Sequence, residues 1–177
     1  MNQDTAPTLL LYSSHYGTAR FYAEQLAAQR ECDLAPASSV KLTQLRPYQT
    51  LIWIGGVYSE TIAGLETLQR YYAKLMAASD APRIAVLAVG AAPEEAAASL
   101  ALPGALAGIP LFYARGRWNP QAMDFKDALM IKMLRAALAR KPEVAPGWMR
   151  QLLESEEAQD FTADIYLDPV LDFISGR

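Results

Sequence analysis

The sequence predicts an α/β fold, a doubly wound, five-stranded parallel sheet with helices on both faces. Short, nearly continuous apolar runs recur along the chain, as strands covered on both faces require. Between them the apolar residues return at helical spacing. Strand and helix alternate about five times, the order that builds a parallel sheet through crossover helices.

Thr8 to Ser13 is the first apolar run. From Gly17 to about Arg30, Phe21, Tyr22, Leu26 and Ala27 recur at helical spacing, with Arg20, Glu24 and Gln25 between them. A weaker strand lies within Asp33 to Leu42, where Pro36 argues against a central place in the sheet. The run TLIWIGG (50–56) is a buried strand, followed by a loop and a helix from about Leu65 to Ala78. RIAVLAVGA (83–91) repeats the strand signal, Pro93 to Leu100 suits a helical turn or two, and IPLFYARG (109–116) is the fifth strand. Met123 to Arg140 is a long amphipathic helix whose Leu129, Met130, Met133 and Leu134 are expected to face inward. Lys141 to Gly147 resembles a linker, and Pro169 to Ile174 begins or lies in a last helix.

At 177 residues the chain suits a single domain, 1–177, large enough for a substantial core. It is 52% hydrophobic and 20% charged, the balance of a folded protein rather than a disordered one. A net charge of −3 supplies no field to recruit nucleic acid. The start, MNQDTAP, lacks the basic region of a secretory signal. Ala96 to Ala114 carries no charge, but Pro103, Gly104, Gly108 and Pro110 argue against a membrane span. A cytoplasmic location is the expectation.

Cys32 is the only cysteine and His15 the only histidine. Together they exclude an internal disulfide framework, multi-cysteine metal sites and two-histidine zinc motifs. Cys32 reads as a small apolar filler near the weak second strand. Redox work by such a chain needs a borrowed cofactor.

Ligands of open parallel sheets bind beyond the carboxyl ends of the strands. Three of those ends are rich in glycine and small polar residues: 13–18, 55–59 and 90–93. The first, Ser13-Ser14-His15-Tyr16-Gly17-Thr18, joins a strand directly to a helix start. A helix N-terminus offers free amides and partial positive charge, which suit a phosphate. Gly17 admits close backbone approach, and the hydroxyls of Ser13, Ser14 and Thr18 can donate to phosphate oxygens. The loop lacks the lysine of a Walker motif and the three glycines of a dinucleotide fingerprint. It is either a neutral cradle for one terminal phosphate or a helix start capped by Ser14 with nothing bound.

Here the chain resembles the flavodoxin-like family, whose phosphate loop reads Ser/Thr-x-Thr-Gly-x-Thr after the first strand. Ser14-His15-Tyr16-Gly17-Thr18-Ala19 matches that loop in part. The chain looks most similar to the branch that includes menaquinone-dependent protoporphyrinogen oxidase, through IWIGGVYS, RGRWNPQAMDFKDALMIKMLRAAL and the stretch Asp160 to Asp164. The resemblance implies FMN as cofactor. It places the phosphate at Ser13 to Thr18 and the ring between Gly56-Val57-Tyr58 and Gly90-Ala91-Ala92. Tyr58 would stack on the ring, and Trp118 is a candidate to cover its other face. The family's last loop threonine falls on Ala19, which removes one hydroxyl from the cradle.

The resemblance implies electron transfer, with a redox partner protein or a quinone at the other end. An oxidase acting on a porphyrinogen is the alternative within that class, and a cofactor-free interaction module is the alternative outside it. No residue stands out as a general base, and His15 is expected to contribute mainly its amide. Between Arg115 and Lys141, seven basic residues face only Asp124 and Asp127. That run is either a solvated helix face or a docking surface for an acidic partner, a substrate's carboxylates or a membrane's anionic headgroups.

Overall fold

Apolar residues of alternating direction give the central strands two buried faces. The computed structural model describes residues 7–58, 61–141, 143 and 145–177. Its strands β1 (Thr8–Ser13), β2 (Asp33–Pro36), β3 (Thr50–Tyr58), β5 (Arg83–Gly90) and β6 (Leu111–Arg115) pair in the order β2-β1-β3-β5-β6. Every pair in that path is parallel. The fold is therefore the α/β, flavodoxin-like arrangement expected. A short β4 (Thr61–Ile62) turns back antiparallel on the end of β3. Pro36 sits opposite Tyr12 on the edge strand, where its missing amide proton costs no ladder bond on the open side.

The helices α1 (Thr18–Gln29) and α7 (Asp168–Ile174) cover one face of the sheet. Tyr22, Ala23 and Leu26 of α1 pack with Leu10, Ile52, Ile54 and Leu87, joined by Val170 and Leu171. The opposite face carries Leu9, Leu11, Leu51, Trp53 and Val86. There α3 (Leu65–Met76) brings Leu65, Leu68 and Leu75, and the one-turn α2 (Leu42–Leu45) adds Leu45. This alternation along each strand is the two-residue period made physical. Cys32 is half-buried against the α1 side, beside β2, the filler position expected of it.

The uncharged stretch 96–114 is no single helix. It holds the end of α4 (Glu94–Ala97), a 3-10 turn at Gly104–Leu106 and most of β6. Among the described residues no helix is long and apolar enough to cross a membrane.

After β6 the chain leaves the sheet for an excursion. It forms β7 (Arg117–Trp118), α5 (Phe125–Arg140), α6 (Gly147–Glu154) and β8 (Gln159–Asp160) before α7. β7 and β8 pair as a small antiparallel ribbon, fastened by Arg117 to the Asp160 carboxylate at 2.9 Å. Arg135 of α5 donates to the carbonyls of Leu153 and Ser155, which ties α5 to the end of α6. The inward orientation expected of Leu129, Met130, Met133 and Leu134 is overturned in part: all four are exposed rather than buried in a core, although Met130 and Leu134 line a pocket. None of the described α5 residues is buried. Helical spacing shows that a stripe is apolar, but α5 lies beyond the sheet and has no core to turn it toward.

Candidate functional site

Parallel strands present their carboxyl ends at one edge, so loops distant in sequence converge there. β1 ends at Ser13, β3 at Tyr58 and β5 at Gly90, and β3 lies between the other two. A pocket of about 430 Å³ opens at that edge, a size usual for small-molecule sites. Tyr16, Thr18, Gly56, Val57, Tyr58, Gly90 and Ala91 line it, so all three expected loops contribute. Ser13, Ser14, His15, Gly17 and Ala92 stand outside the lining. Ser13 instead packs beneath the start of α3, where a methyl on Gly64 would come within 2.8 Å of its Cβ.

Gly17 begins α1 with φ of 86°, a left-handed conformation that glycine adopts freely. A methyl there would meet nothing within 4 Å, so space for a ligand atom lies directly over the helix start. No side chain caps this helix, and Ser14 in particular does not. The first-turn amides thus have no side-chain cap among the described residues, and uncapped helix starts of this kind suit anions. Ala19 is buried at 2% exposure against the sheet, whereas Thr18 lines the pocket. Position 18 therefore carries a hydroxyl residue at the cavity wall.

Tyr58 returns across its own strand. Its ring passes so close to Gly56 that a methyl on that glycine would lie 2.8 Å from it. Its hydroxyl accepts the His15 amide at 3.3 Å. Burial raises the Tyr58 pKa, opposed by the amides of His15 and Tyr16 that favour the oxyanion. Gly90 is needed for space of another kind, since a methyl there would reach 2.9 Å from the Tyr113 hydroxyl and 3.3 Å from Val57 Cβ. That hydroxyl donates to the Ala92 carbonyl at 2.8 Å, and the Gly90 carbonyl accepts the Gly116 amide at 2.7 Å. The third loop is thereby held from behind by β6.

The excursion closes the other side. His15 Nε2 lies 3.0 Å from Asp124 Oδ2, and the Tyr16 hydroxyl donates to the Asp127 carboxylate. Asp124 also caps α5, accepting the Asp127 amide at 2.9 Å. That amide first, and the His15 ring second, hold the Asp124 carboxyl below its usual range. Burial, with the Asp127 carboxylate second, pushes the Tyr16 phenol up to about 12. His15, Asp124 and Asp127 crowd within 4.8 Å of one another, a proximity that these mutual contacts account for.

The far wall of the pocket is apolar. Met130, Ile131 and Leu134 come from α5, Trp148, Met149 and Leu152 from α6, and Trp118 and Met123 from the chain between β6 and α5. The indole N–H of Trp118 is enclosed with no acceptor among the described residues. Buried donors normally find partners, so this orphan marks a place where an acceptor is wanted.

The chain matches the family described as "Flavodoxin domain" over residues 9–144. It belongs to that family. The matched span of this flavodoxin domain runs from β1 through α5, so it takes in all three loops and the first helix of the excursion. No curated protein matches the chain. Among solved structures it is similar to the Trp repressor binding protein from Bacillus subtilis, at 11% identity and a TM-score of 0.42, over 62% of this chain and 84% of that one. It is also similar to a flavodoxin from the domain Archaea, at 14% identity and a TM-score of 0.41, over 76% of this chain and 97% of that one.

Sequence reasoning missed two parts of this flavodoxin domain's pocket. Asp124 and Asp127 entered only as charges, since nothing local tells that an aspartate will meet a loop more than a hundred residues earlier. α6 was not anticipated, although Trp148, Met149, Leu152 and Leu153 stand at helical spacing and carried a readable signal.

Proposed function

We propose that this flavodoxin domain binds FMN and works in electron transfer. The observation that carries the reading is the start of α1, where Gly17 leaves open space over uncapped amides at the edge of a pocket walled by the loops after β3 and β5. The amides of the His15–Ala19 stretch and the Thr18 hydroxyl would hold the phosphate. Val57, Tyr58, Gly90 and Ala91 would flank the ring, and Trp118 would close over it from β7. The orphaned Trp118 N–H suits a ring carbonyl as its acceptor.

Bound FMN supplies one- or two-electron chemistry. The chain's own residues position and shield it. Val57 and the apolar far wall exclude water from the ring's surroundings, and the loop amides fix its phosphate end. No side chain within the phosphate loop is a lysine or arginine, so binding rests on amides and hydroxyls alone.

A second reading is an FMN enzyme acting on an apolar organic substrate, in the manner of menaquinone-dependent protoporphyrinogen oxidase. One observation favours it: the pocket continues past the loops to a wall of Met130, Ile131, Leu134, Trp148 and Leu152, which an electron carrier does not need. The chemistry of a redox partner protein or a quinone fits the carrier and the enzyme respectively.

The absorption spectrum of the purified protein, before and after addition of FMN, tests the shared claim. Flavin bands with quenched fluorescence are the expected result. A colourless protein that FMN leaves unchanged would reduce the domain to an interaction module. Anaerobic addition of protoporphyrinogen with a menaquinone analogue then separates carrier from oxidase.

A further inference from the structure

The helix α5 is apolar on two opposite stripes, and only one of them faces the pocket. Met130, Ile131 and Leu134 line the cavity together with Asp127. Phe125, Leu129, Met133 and Ala136 follow one another at spacings of three and four, so they form a second stripe on the outer side. Phe125 is 81% exposed, Met133 59% and Leu129 44%. Contiguous large apolar side chains facing water mark a surface that is covered in use.

The polar residues beside that stripe identify what covers it. Lys126, Lys132 and Arg140 flank it and are exposed. They enter no ion pair among the described residues. The helix's acidic residue, Asp127, lies on the pocket side, and its cap Asp124 is engaged by His15. An apolar ridge edged by cations, with no carboxylate of its own helix, is the pattern of a helix lying in a membrane interface. Anionic headgroups supply the matching charge. A protein partner is the poorer match, because lysine is depleted from the cores of protein interfaces. On a bilayer its methylene stem instead lies along the apolar surface and its ammonium reaches the headgroups.

We infer that the outer face of α5, through Phe125, Leu129 and Met133 with Lys126, Lys132 and Arg140, docks this protein peripherally on an anionic lipid surface. The proposal is independent of FMN. It goes beyond redox function by assigning where the protein works, and it sets the apolar pocket on the opposite side of the same helix.

Co-sedimentation of the full chain with vesicles tests it, comparing phosphatidylcholine alone with phosphatidylcholine enriched in phosphatidylglycerol. Binding is expected only to the anionic vesicles, weakening as salt rises. Phe125→Ser with Met133→Ser should cut the partition by about tenfold or more. Charge reversal by K126E with K132E should do the same. These positions are exposed, and circular dichroism of each variant should match the parent. Parent protein that stays in the supernatant with anionic vesicles overturns the proposal, as does full binding by both double variants. So does a stable dimer in sedimentation velocity that F125S with M133S converts to monomer, because a second copy would then be the occupant.

Discussion

The backbone amide of His15 donates to the hydroxyl of Tyr58 across 43 residues of chain, at 3.3 Å. The loop after β1 and the end of β3 are thus joined, and under the proposed FMN reading the tyrosine hydroxyl holds an amide that the phosphate would otherwise draw on. A neutral hydrogen bond of this kind is worth about 1 kcal/mol net. Tyr58→Phe should therefore bind FMN tighter by up to about fivefold. Tyr58→Ala should bind it weaker by about tenfold, because the ring is lost with the hydroxyl. Titration of flavin fluorescence reads both, and weaker binding by Tyr58→Phe would show that the hydroxyl assists the ligand rather than competing with it.

Gly17→Asp places a carboxylate over the start of α1, where the space is open. FMN affinity should fall by about a hundredfold or more through charge repulsion. The left-handed backbone adds about 1–2 kcal/mol of strain to any side chain there. Gly17→Ala separates the effects: it carries the strain without the charge and should keep most of the affinity. Equal affinities for the two variants would place the phosphate elsewhere.

Gly90→Ala meets the Tyr113 hydroxyl and Val57 at sub-contact distances. Overpacking of this kind costs about 1–3 kcal/mol. The third loop should shift, and chemical denaturation should report the loss of stability. Gly104→Ala is a useful contrast, since its added methyl meets nothing within 4 Å and only its φ of 54° is penalised.

Asp124 caps α5 and contacts His15, and its folded pKa lies below the ordinary 3.8. The unfolded chain therefore binds its proton more readily, and the stability it contributes is full above about pH 4. That contribution disappears as pH falls through the lower folded value. Asp124→Ala should lower the thermal midpoint by a few degrees at neutral pH and by nothing in strong acid. Melting curves of the two proteins that stay parallel across this range would remove the role given to the carboxylate.

The core strands were legible because burial on both faces leaves an unbroken apolar run, as in TLIWIGG and RIAVLAVG. The edge position of β2 was legible in Pro36. The location of the three loops followed from parallel order together with the glycines and small polar residues at those strand ends. α5 was read as a helix, but Leu129 and Met133 were wrongly read as facing inward with Met130 and Leu134, because a pattern apolar on two sides does not say which side meets protein.

By itself, then, the order of residues determined the sheet, its edge and the common rim where its loops gather, since those depend on local periodicity and on the geometry of parallel pairing. Tertiary structure alone decided that Tyr58 reaches the His15 amide, that Asp124 and Asp127 fasten the excursion to the first loop, and that α5 turns one apolar stripe to a pocket and the other to solvent. Such contacts join residues with no shared local pattern, and they exist only once the chain has brought distant segments to one edge.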